Sequence, residues 1–236
     1  MIDYRLLINE AEKLGIMIDT AAAQRFDAYA QRLVEVNEHM NLTAITEPED
    51  IVIKHFIDCI YVMKYVSFKQ SETLVDIGTG AGFPAIPLLI ANPTLNVTLV
   101  DSLKKRIDFL SATLDTIGLK GRCIHARAED FGCQAAFREQ FDYATARAVA
   151  PLNILCEYCL PLIKMGGRFI SLKGAMGVQE LKDAKNAIAL LGGAVEDIKE
   201  YTLPSGDARS IIIINKLSQT STQYPRKPKK ITAAPL

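Results

Sequence analysis

The chain has 236 residues, a length that suits one large domain or one domain with a short appendage. Hydrophobic residues make up 49% of the sequence, yet no stretch approaches the roughly 18 consecutive apolar residues of a membrane span. The N-terminus lacks the basic start and the small-residue cleavage site of a secretory signal. The formal net charge is zero, and we expect a cytoplasmic protein that has no membrane segment.

The first 66 residues show helical periodicity. Apolar residues recur at helical spacing between Phe26 and Val34, and a similar pattern runs from Ile51 to Val66 after Pro48. We predict an N-terminal helical region over residues 1–66.

From Thr73 onward the pattern changes to short β-type runs that alternate with helical segments. The runs are TLVDI, NVTLV, RCIHA, FDYATA, GRFISL and RSIIII. This alternation is typical of a mostly parallel, three-layer α/β sheet, which we place at residues 67–217. The last two strands, near 194–201 and 209–215, are joined by PSGD, which is too short for a helix, so they should pair antiparallel.

Five cysteines are an odd number in a chain that is large enough to fold without disulfides. Cys156 and Cys159 form a C-x-x-C pattern, but no second pair of metal ligands accompanies it. Both lie in a helical apolar pattern, which indicates two small buried side chains. We predict neither a disulfide nor a metal site.

Residues 218–236, SQTSTQYPRKPKKITAAPL, are polar, rich in proline and without periodicity. This composition predicts a flexible tail whose removal would leave the fold and any bound cofactor unaffected. No acid follows Asp207, and the bases after it are Arg209, Lys216, Arg226, Lys227, Lys229 and Lys230. The tail is therefore predicted to bind a polyanion. The alternatives are a disordered end without function and an end that only packs back on the domain through Tyr224 and Leu236.

Three alternating glycines, Gly78, Gly80 and Gly82, directly follow the first predicted strand and precede a helix. In an open α/β sheet, ligands bind at the carboxyl ends of the strands, where glycines allow the backbone to approach a cofactor closely. Counted from Gly80 to Ala85, the loop also satisfies the relaxed dinucleotide pattern G-x-G-x-x-G/A. A nicotinamide cofactor therefore remains an alternative.

Acidic residues follow the next two predicted strands. Asp101 ends the second strand, at the position where an acid accepts hydrogen bonds from ribose hydroxyls. Glu129 and Asp130 follow the third strand, beside the place expected for an adenine. An acid there could accept a hydrogen bond from an adenine amine, which favours S-adenosylmethionine. The alternatives are that Asp101 caps the next helix and that Glu129 is a surface acid.

Further motifs occur in a fixed order along nearly the whole chain. They are NEHMNLTAI (37–45), HFIDC (55–59), DIGTGAGFPAIP (76–87), VDSLKKRIDFL (100–110), RAEDF (127–131), ARAVAPL (146–152), KG (173–174) and YPRKP (224–228). In these motifs the chain resembles the RsmG (glucose-inhibited division protein B) methyltransferases, which methylate N7 of a guanosine in bacterial 16S ribosomal RNA.

The resemblance implies a Rossmann-like, seven-stranded S-adenosylmethionine-dependent methyltransferase sheet with an N-terminal helical cap. It also implies that the cofactor is bound by Gly78, Phe83, Ala128, Glu129 and Arg147, with Asp101 on the ribose. Gly80 is added to these cofactor-binding candidates as part of the glycine loop. The implied partner is 16S ribosomal RNA or the 30S particle. We expect a monomer that needs no metal.

N7 of guanine carries a free lone pair, so the predicted reaction needs no catalytic base. Arg147 and Lys173 each follow a predicted strand and are candidates for positioning the reactants, the alternative being a buried ion pair. The candidates for RNA binding are Arg226, Lys227, Lys229 and Lys230. Three other functions remain open: a small-molecule S-adenosylmethionine methyltransferase, a nicotinamide oxidoreductase and a non-enzymatic RNA-binding module.

Overall fold

A computed structural model describes residues 1–236 and contains one seven-stranded sheet. The strands are β1 (Thr73–Ile77), β2 (Asn96–Asp101), β3 (Arg122–His125), β4 (Phe141–Arg147), β5 (Ile163–Lys173), β6 (Gly193–Thr202) and β7 (Ala208–Lys216). Their order in the sheet is β3-β2-β1-β4-β5-β7-β6. The first five run parallel, and β7 runs antiparallel to both β5 and β6. The predicted antiparallel pairing of the last two strands is confirmed.

Eleven α-helices surround the sheet. They are α1 (Tyr4–Lys13), α2 (Thr20–Met40), α3 (Pro48–Asp50), α4 (Asp58–Ile60), α5 (Ala85–Ala91), α6 (Lys104–Ile117), α7 (Ala128–Cys133), α8 (Leu152–Cys159), α9 (Gly177–Asp183), α10 (Lys185–Leu190) and α11 (Pro228–Ala233). A π-helical segment, Ile51–Ile57, joins α3 to α4, and a 3₁₀ turn, Tyr61–Lys64, follows. None of the helices combines the length and the apolar composition needed to cross a membrane.

The strands alternate their side chains between two cores. On β1, Leu74 belongs to one core and Val75 to the other, as the period of two in a strand requires. The first core contains the buried faces of α1, α2, α5 and α6 together with the π-helical segment. The second core contains those of α7, α8 and α10. The N-terminal helices are thus one of the layers that cover the sheet.

Residues 218–236 pack against the body of the protein, so the expectation of a flexible tail is wrong. Tyr224 and Ile231 are buried, and α11 forms near the end of the chain. The Arg138 guanidinium donates hydrogen bonds to the carbonyl oxygens of Thr220, Ser221 and Tyr224, at 2.6, 3.1 and 2.8 Å. The polar tail is therefore held through its backbone by a residue far away in sequence, which a local composition pattern cannot reveal.

The start of the tail is anchored by Lys216, whose side chain is fully buried at the end of β7. Its Nζ donates to Leu160 O at 2.6 Å, contacts Thr220 Oγ1 and lies 3.5 Å from Glu139 Oε1. Burial lowers the pKa of Lys216 to about 8. A buried lysine is tolerated only when its donors are satisfied, so Thr220 and Glu139 tie the tail to the sheet.

Candidate functional site

The glycine loop between β1 and α5 lies directly against the loop that follows β4. Gly78 and Gly80 both adopt positive φ angles, +66° and +60°. A Cβ atom added to Gly78 would lie 2.6 Å from Val149 Cγ2, closer than carbon atoms approach in proteins. Glycine is therefore required at position 78 both by the backbone conformation and by the close contact of the two loops.

A cavity of about 380 Å³, here called the acid-lined cavity, opens at the carboxyl ends of β1, β2 and β3. It lies beside the point between β1 and β4 where the strand order reverses, which is the usual ligand site of an open α/β sheet. Its lining includes Gly78, Asp101, Ala128 and Glu129, four of the residues predicted to bind a cofactor.

Asp101 is oriented by two backbone hydrogen bonds at the mouth of this cavity. Its Oδ2 accepts from Gly80 N at 3.0 Å, and its Oδ1 accepts from Leu103 N at 2.9 Å. The Arg106 guanidinium approaches Oδ2 at 3.4 Å. A carboxylate can accept about four hydrogen bonds, so Asp101 keeps capacity for a ligand while it holds the glycine loop. Gly80, the remaining glycine of the prediction, does not line the cavity and contacts it only through this bond to Asp101.

Glu129 lies in the first turn of α7 and is only 7% exposed. It lines the acid-lined cavity, and no protein group donates a hydrogen bond to its carboxylate. The carboxylate is open to the cavity, so it can accept a hydrogen bond from a ligand N–H or O–H there.

A second cavity, of about 630 Å³, adjoins the first and is here called the base-lined cavity. Four bases line it, namely Lys54, Arg147, Lys173 and Arg209. Ala148 and Val149 line both cavities. Ala148 adopts a φ of 56°, a left-handed conformation that costs an alanine about 1 kcal/mol or more. Backbone strain is thus located at the junction of the two cavities.

Arg147 ends β4 and is bound from several sides by the N-terminal helical region. Its Nη1 donates to Asp58 Oδ2 at 3.1 Å and to Lys54 O at 3.2 Å, and its Nη2 donates to His55 Nδ1 at 3.0 Å. The guanidinium also lies 4.6 Å from the centre of the Phe83 ring. Two motifs that are distant in sequence, HFIDC and ARAVAPL, thus meet at this guanidinium.

The π-helical geometry of Ile51–Ile57 makes these contacts possible. The Asp58 N–H donates to His55 O and Ile53 O, three and five residues back, and leaves Lys54 O, the acceptor four residues back that an α-helix would use, without this bond. Lys54 O can then accept from Arg147. Short π-helical segments occur frequently at functional sites.

His55 is neutral, because a guanidinium can only donate and His55 Nδ1 must therefore accept. The other ring nitrogen, Nε2, lies 2.8 Å from Thr43 Oγ1 and carries the proton in this arrangement. Burial, and after it the charge of Arg147, lower the pKa of His55 to about 3. The imidazole is also stacked on Phe83, with ring centroids 4.3 Å apart.

Lys173 forms a buried ion pair with Glu180, which was the alternative to a role in positioning the reactants. Its Nζ donates to Ala150 O at 2.7 Å and lies 2.7 Å from Glu180 Oε2, which also accepts from Leu152 N at 2.8 Å. Lys173 and Glu180 therefore brace the loop between β4 and α8, and both line the base-lined cavity.

Beneath the glycine loop, Asp76 is fully buried and accepts from Thr145 Oγ1 at 2.8 Å through its Oδ1. Its Oδ2 and the nearby Thr79 Oγ1 are buried without hydrogen-bond partners. Burial raises the pKa of Asp76 to about 7. No group of three or more His, Cys, Asp or Glu side chains is placed to hold a metal ion.

The predicted residues thus fall into four places. Gly78, Asp101, Ala128 and Glu129 line the acid-lined cavity, and Arg147 and Lys173 line the base-lined cavity. Phe83 lines neither cavity, and its ring packs against the Arg147 guanidinium and the His55 imidazole. Lys227, Lys229 and Lys230 are exposed, whereas Arg226 is paired with Glu157.

Sequence reasoning missed several lining residues, namely Arg106, Tyr158, Pro228 and Thr232. Arg106 belongs to a run of three bases, Lys104 to Arg106, whose pattern alone indicates a solvent-exposed helix face. Its position five residues after Asp101, on the first turn of α6, was the signal that could have identified it.

The family model described as "GidB: rRNA small subunit methyltransferase G" matches residues 22–211. The chain belongs to this family. Among its relatives, the ribosomal RNA small subunit methyltransferase G of Leuconostoc mesenteroides is 50% identical over 223 residues, which cover 93% of each chain. The protein of the same name from Alkaliphilus metalliredigens is 47% identical over 94% of each chain.

Solved structures show the same fold at low sequence identity. TrmN from Thermus thermophilus superposes with a TM-score of 0.54 at 20% identity, covering 68% of this chain and 48% of that one. A mutant of a 16S rRNA (adenine(1408)-N(1))-methyltransferase from Catenulisporales acidiphilia gives a TM-score of 0.52 at 17% identity, over 67% of this chain and 88% of that one. The Rossmann-like methyltransferase fold is confirmed. The nicotinamide oxidoreductase and the non-enzymatic RNA-binding module are set aside by the family.

The Gly78–Val149 contact can be tested against a matched glycine. Gly118 has nearly the same φ, +65°, but a Cβ atom added there would have no other atom within 4 Å. Gly118→Ala should lower the free energy of unfolding by about 1 kcal/mol through the backbone alone. Gly78→Ala should cost about 1–3 kcal/mol more because of the clash. Urea denaturation measures both, and adding Val149→Ala should remove the excess. Equal losses for the two glycines would contradict the contact.

The low pKa of His55 predicts how stability depends on pH. Below about pH 6.5 the unfolded chain binds a proton at this residue, whereas the folded protein binds it only near pH 3. The contribution of His55 to stability should therefore fall by about 1.4 kcal/mol per pH unit as the pH is lowered from 6 to 4. Asp76, whose pKa is raised, contributes in the opposite direction, so the effect of His55 is measured as a difference. In urea denaturation across this range, the stability of the wild-type protein relative to His55→Gln should fall as the pH is lowered. The exposed His39→Gln serves as the control, and parallel curves for all three proteins would contradict a buried neutral His55.

Proposed function

We propose that this protein transfers a methyl group from S-adenosylmethionine to N7 of a guanosine in bacterial 16S ribosomal RNA. The observation that carries the proposal is the pair of cavities that meet at Ala148 and Val149, one lined by acids and the other by bases. Membership of the rRNA small subunit methyltransferase G family supports it. The substrate would be 16S ribosomal RNA or the 30S particle, in the cytoplasm, with the protein acting as a monomer.

The residues of the acid-lined cavity fit the adenosine part of S-adenosylmethionine. Asp101 has remaining acceptor capacity for ribose hydroxyls. The Glu129 carboxylate lines the cavity and accepts no hydrogen bond from the protein, so it can accept one from an adenine amine. Ala128 lies beside Glu129, and Gly78 leaves the backbone open to the ligand. When bound, S-adenosylmethionine supplies an electrophilic methyl group on a sulfonium centre. Phe83 would act indirectly, by supporting Arg147.

The base-lined cavity fits a guanine and its neighbouring phosphates. Its four bases outnumber the two acids Asp58 and Glu180, which gives the lining a positive balance that suits RNA. Arg147 and Lys173 are held in place by their ion pairs, so they can position the base without losing much conformational entropy. Exposed Lys227, Lys229 and Lys230 extend the basic surface at α11.

The same cavity offers no group that is free to act as a base. His55 Nδ1 accepts from Arg147, Asp58 accepts from Arg147 and from Tyr201 OH at 3.0 Å, and Glu180 is paired with Lys173. N7 of guanine has no proton to remove, so the reaction matches this arrangement. The protein's contribution is alignment of the reactants and exclusion of water.

The function is tested by nucleoside mass spectrometry of 16S ribosomal RNA from cells with and without the gene. Loss of a 7-methylguanosine, restored by the purified protein with S-adenosylmethionine, is the expected result.

Single-turnover rates should change little between about pH 6.5 and 8.5, where a histidine base would show its ionisation. Unchanged ribosomal RNA would favour a small-molecule methyltransferase instead.

Asp101→Asn tests the ribose acid. Because the variant loses charged acceptors for ligand hydroxyls, its affinity for S-adenosylmethionine should fall by about 1–3 kcal/mol in calorimetry. The control is Asp108→Asn, an exposed acid on the same helix that follows Asp101. NAD should bind neither variant nor the wild-type protein. Unchanged affinity in Asp101→Asn would remove this residue from the cofactor site.

A further inference from the structure

The acid-lined cavity has a wall that does not come from the sheet or its loops. Pro228 and Thr232, both on α11, line the cavity together with Asp101 and Glu129. Tyr158, on α8, completes this side. Residues from the end of the chain therefore share one cavity with residues at the ends of β2 and β3.

This wall is fixed by an ion pair between Arg226 and Glu157. Arg226 donates from Nε to Glu157 Oε1 at 2.9 Å, from Nη2 to Oε2 at 2.7 Å and from its backbone N to Oε1 at 2.7 Å. The Glu157 side chain is 1% exposed, and it directly precedes Tyr158 on α8. A buried, bidentate ion pair of this kind fixes the position of Arg226 relative to α8, because separating the two charges would leave each buried without a partner.

Arg226 also binds the far end of α11. Its Nη1 donates to Ala234 O at 3.1 Å, so the guanidinium that binds Glu157 also binds the C-terminal end of the short helix. Within α11, the Ile231 side chain is fully buried. The helix is therefore docked through Arg226 and through an apolar contact in its middle.

The segment also contacts the helix that carries Glu129. Pro225 packs on Gly132 of α7, where an added Cβ would lie 3.1 Å from Pro225 Cγ. Cys133 Sγ, on the same helix, lies 3.8 Å from Pro225 O. The position of α7, and with it that of Glu129, is thus coupled to the packing of the C-terminal segment.

We propose that the C-terminal segment, residues 224–236, is part of the S-adenosylmethionine site, with Thr232 and Pro228 contacting the cofactor and Arg226 holding them through Glu157. This inference rests on the proposed function of the acid-lined cavity. It replaces the expectation that the tail could be removed without effect on cofactor binding. By linkage, a cofactor that contacts the docked segment must also stabilise its docking.

The experiment measures binding of S-adenosylmethionine to the full-length protein by calorimetry. Thr232→Phe puts a large ring on the cavity wall and should weaken binding by about tenfold or more. Thr222→Phe is the matched control, since Thr222 is exposed in the same tail and does not line the cavity. Arg226→Gln should also weaken binding, while Lys229→Gln, at an exposed site of α11, should not.

Hydrogen exchange measured by mass spectrometry on the wild-type protein gives an independent readout. Amides of residues 226–234 should exchange more slowly when S-adenosylmethionine is added, and faster in Arg226→Gln. If the wild-type protein binds the cofactor but Thr232→Phe and Thr222→Phe bind equally well, or if exchange in this segment does not respond to the cofactor, the inference is overturned. Failure of the wild-type protein to bind S-adenosylmethionine would instead contradict the proposed function.

Discussion

The structure depends on one largely buried guanidinium. Arg147 stands at the end of β4, at the centre of the sheet, and cannot lose its charge, so it must be surrounded by acceptors. Its hydrogen-bond acceptors, Lys54 O, His55 Nδ1 and Asp58 Oδ2, all come from the N-terminal helical region. Because the Arg147 charge needs these acceptors, it fixes the position of the N-terminal helical region on the sheet.

The consequences reach further than the ion pair itself. Asp58 also accepts from Tyr201 OH at 3.0 Å and lies 3.4 Å from Arg209 Nε, which connects β6 and β7 to the same centre. His55 in turn forms a hydrogen bond with Thr43, whose Oγ1 lies 2.8 Å from His55 Nε2. A single electrostatic centre thus joins the first helices, the central strand and the last strands around the base-lined cavity.

Much of the fold was predictable from local patterns. The β-type runs mark the strands because a continuous apolar run reflects burial on both faces of the sheet. Ile211 to Ile214 are an example, since their side chains alternate between the two cores. Gly78 and Asp101 were predictable because the requirements of a strand end are local. The tail was not, since its order comes from Arg138 and Glu157, which are distant in sequence. The support of Arg147 by Phe83 likewise arises only in three dimensions.

The docked tail has a consequence for the biogenesis of the protein. Glu157 and Arg138 find their partners much later in the sequence, from Thr220 to Arg226. During translation the sheet can form while these charges still lack their partners, because N-terminal segments emerge first. The cavity lined by Pro228 and Thr232 is complete only after these residues have emerged from the ribosome. A nascent or C-terminally truncated chain would therefore be folded in its core but incomplete at its ligand pocket.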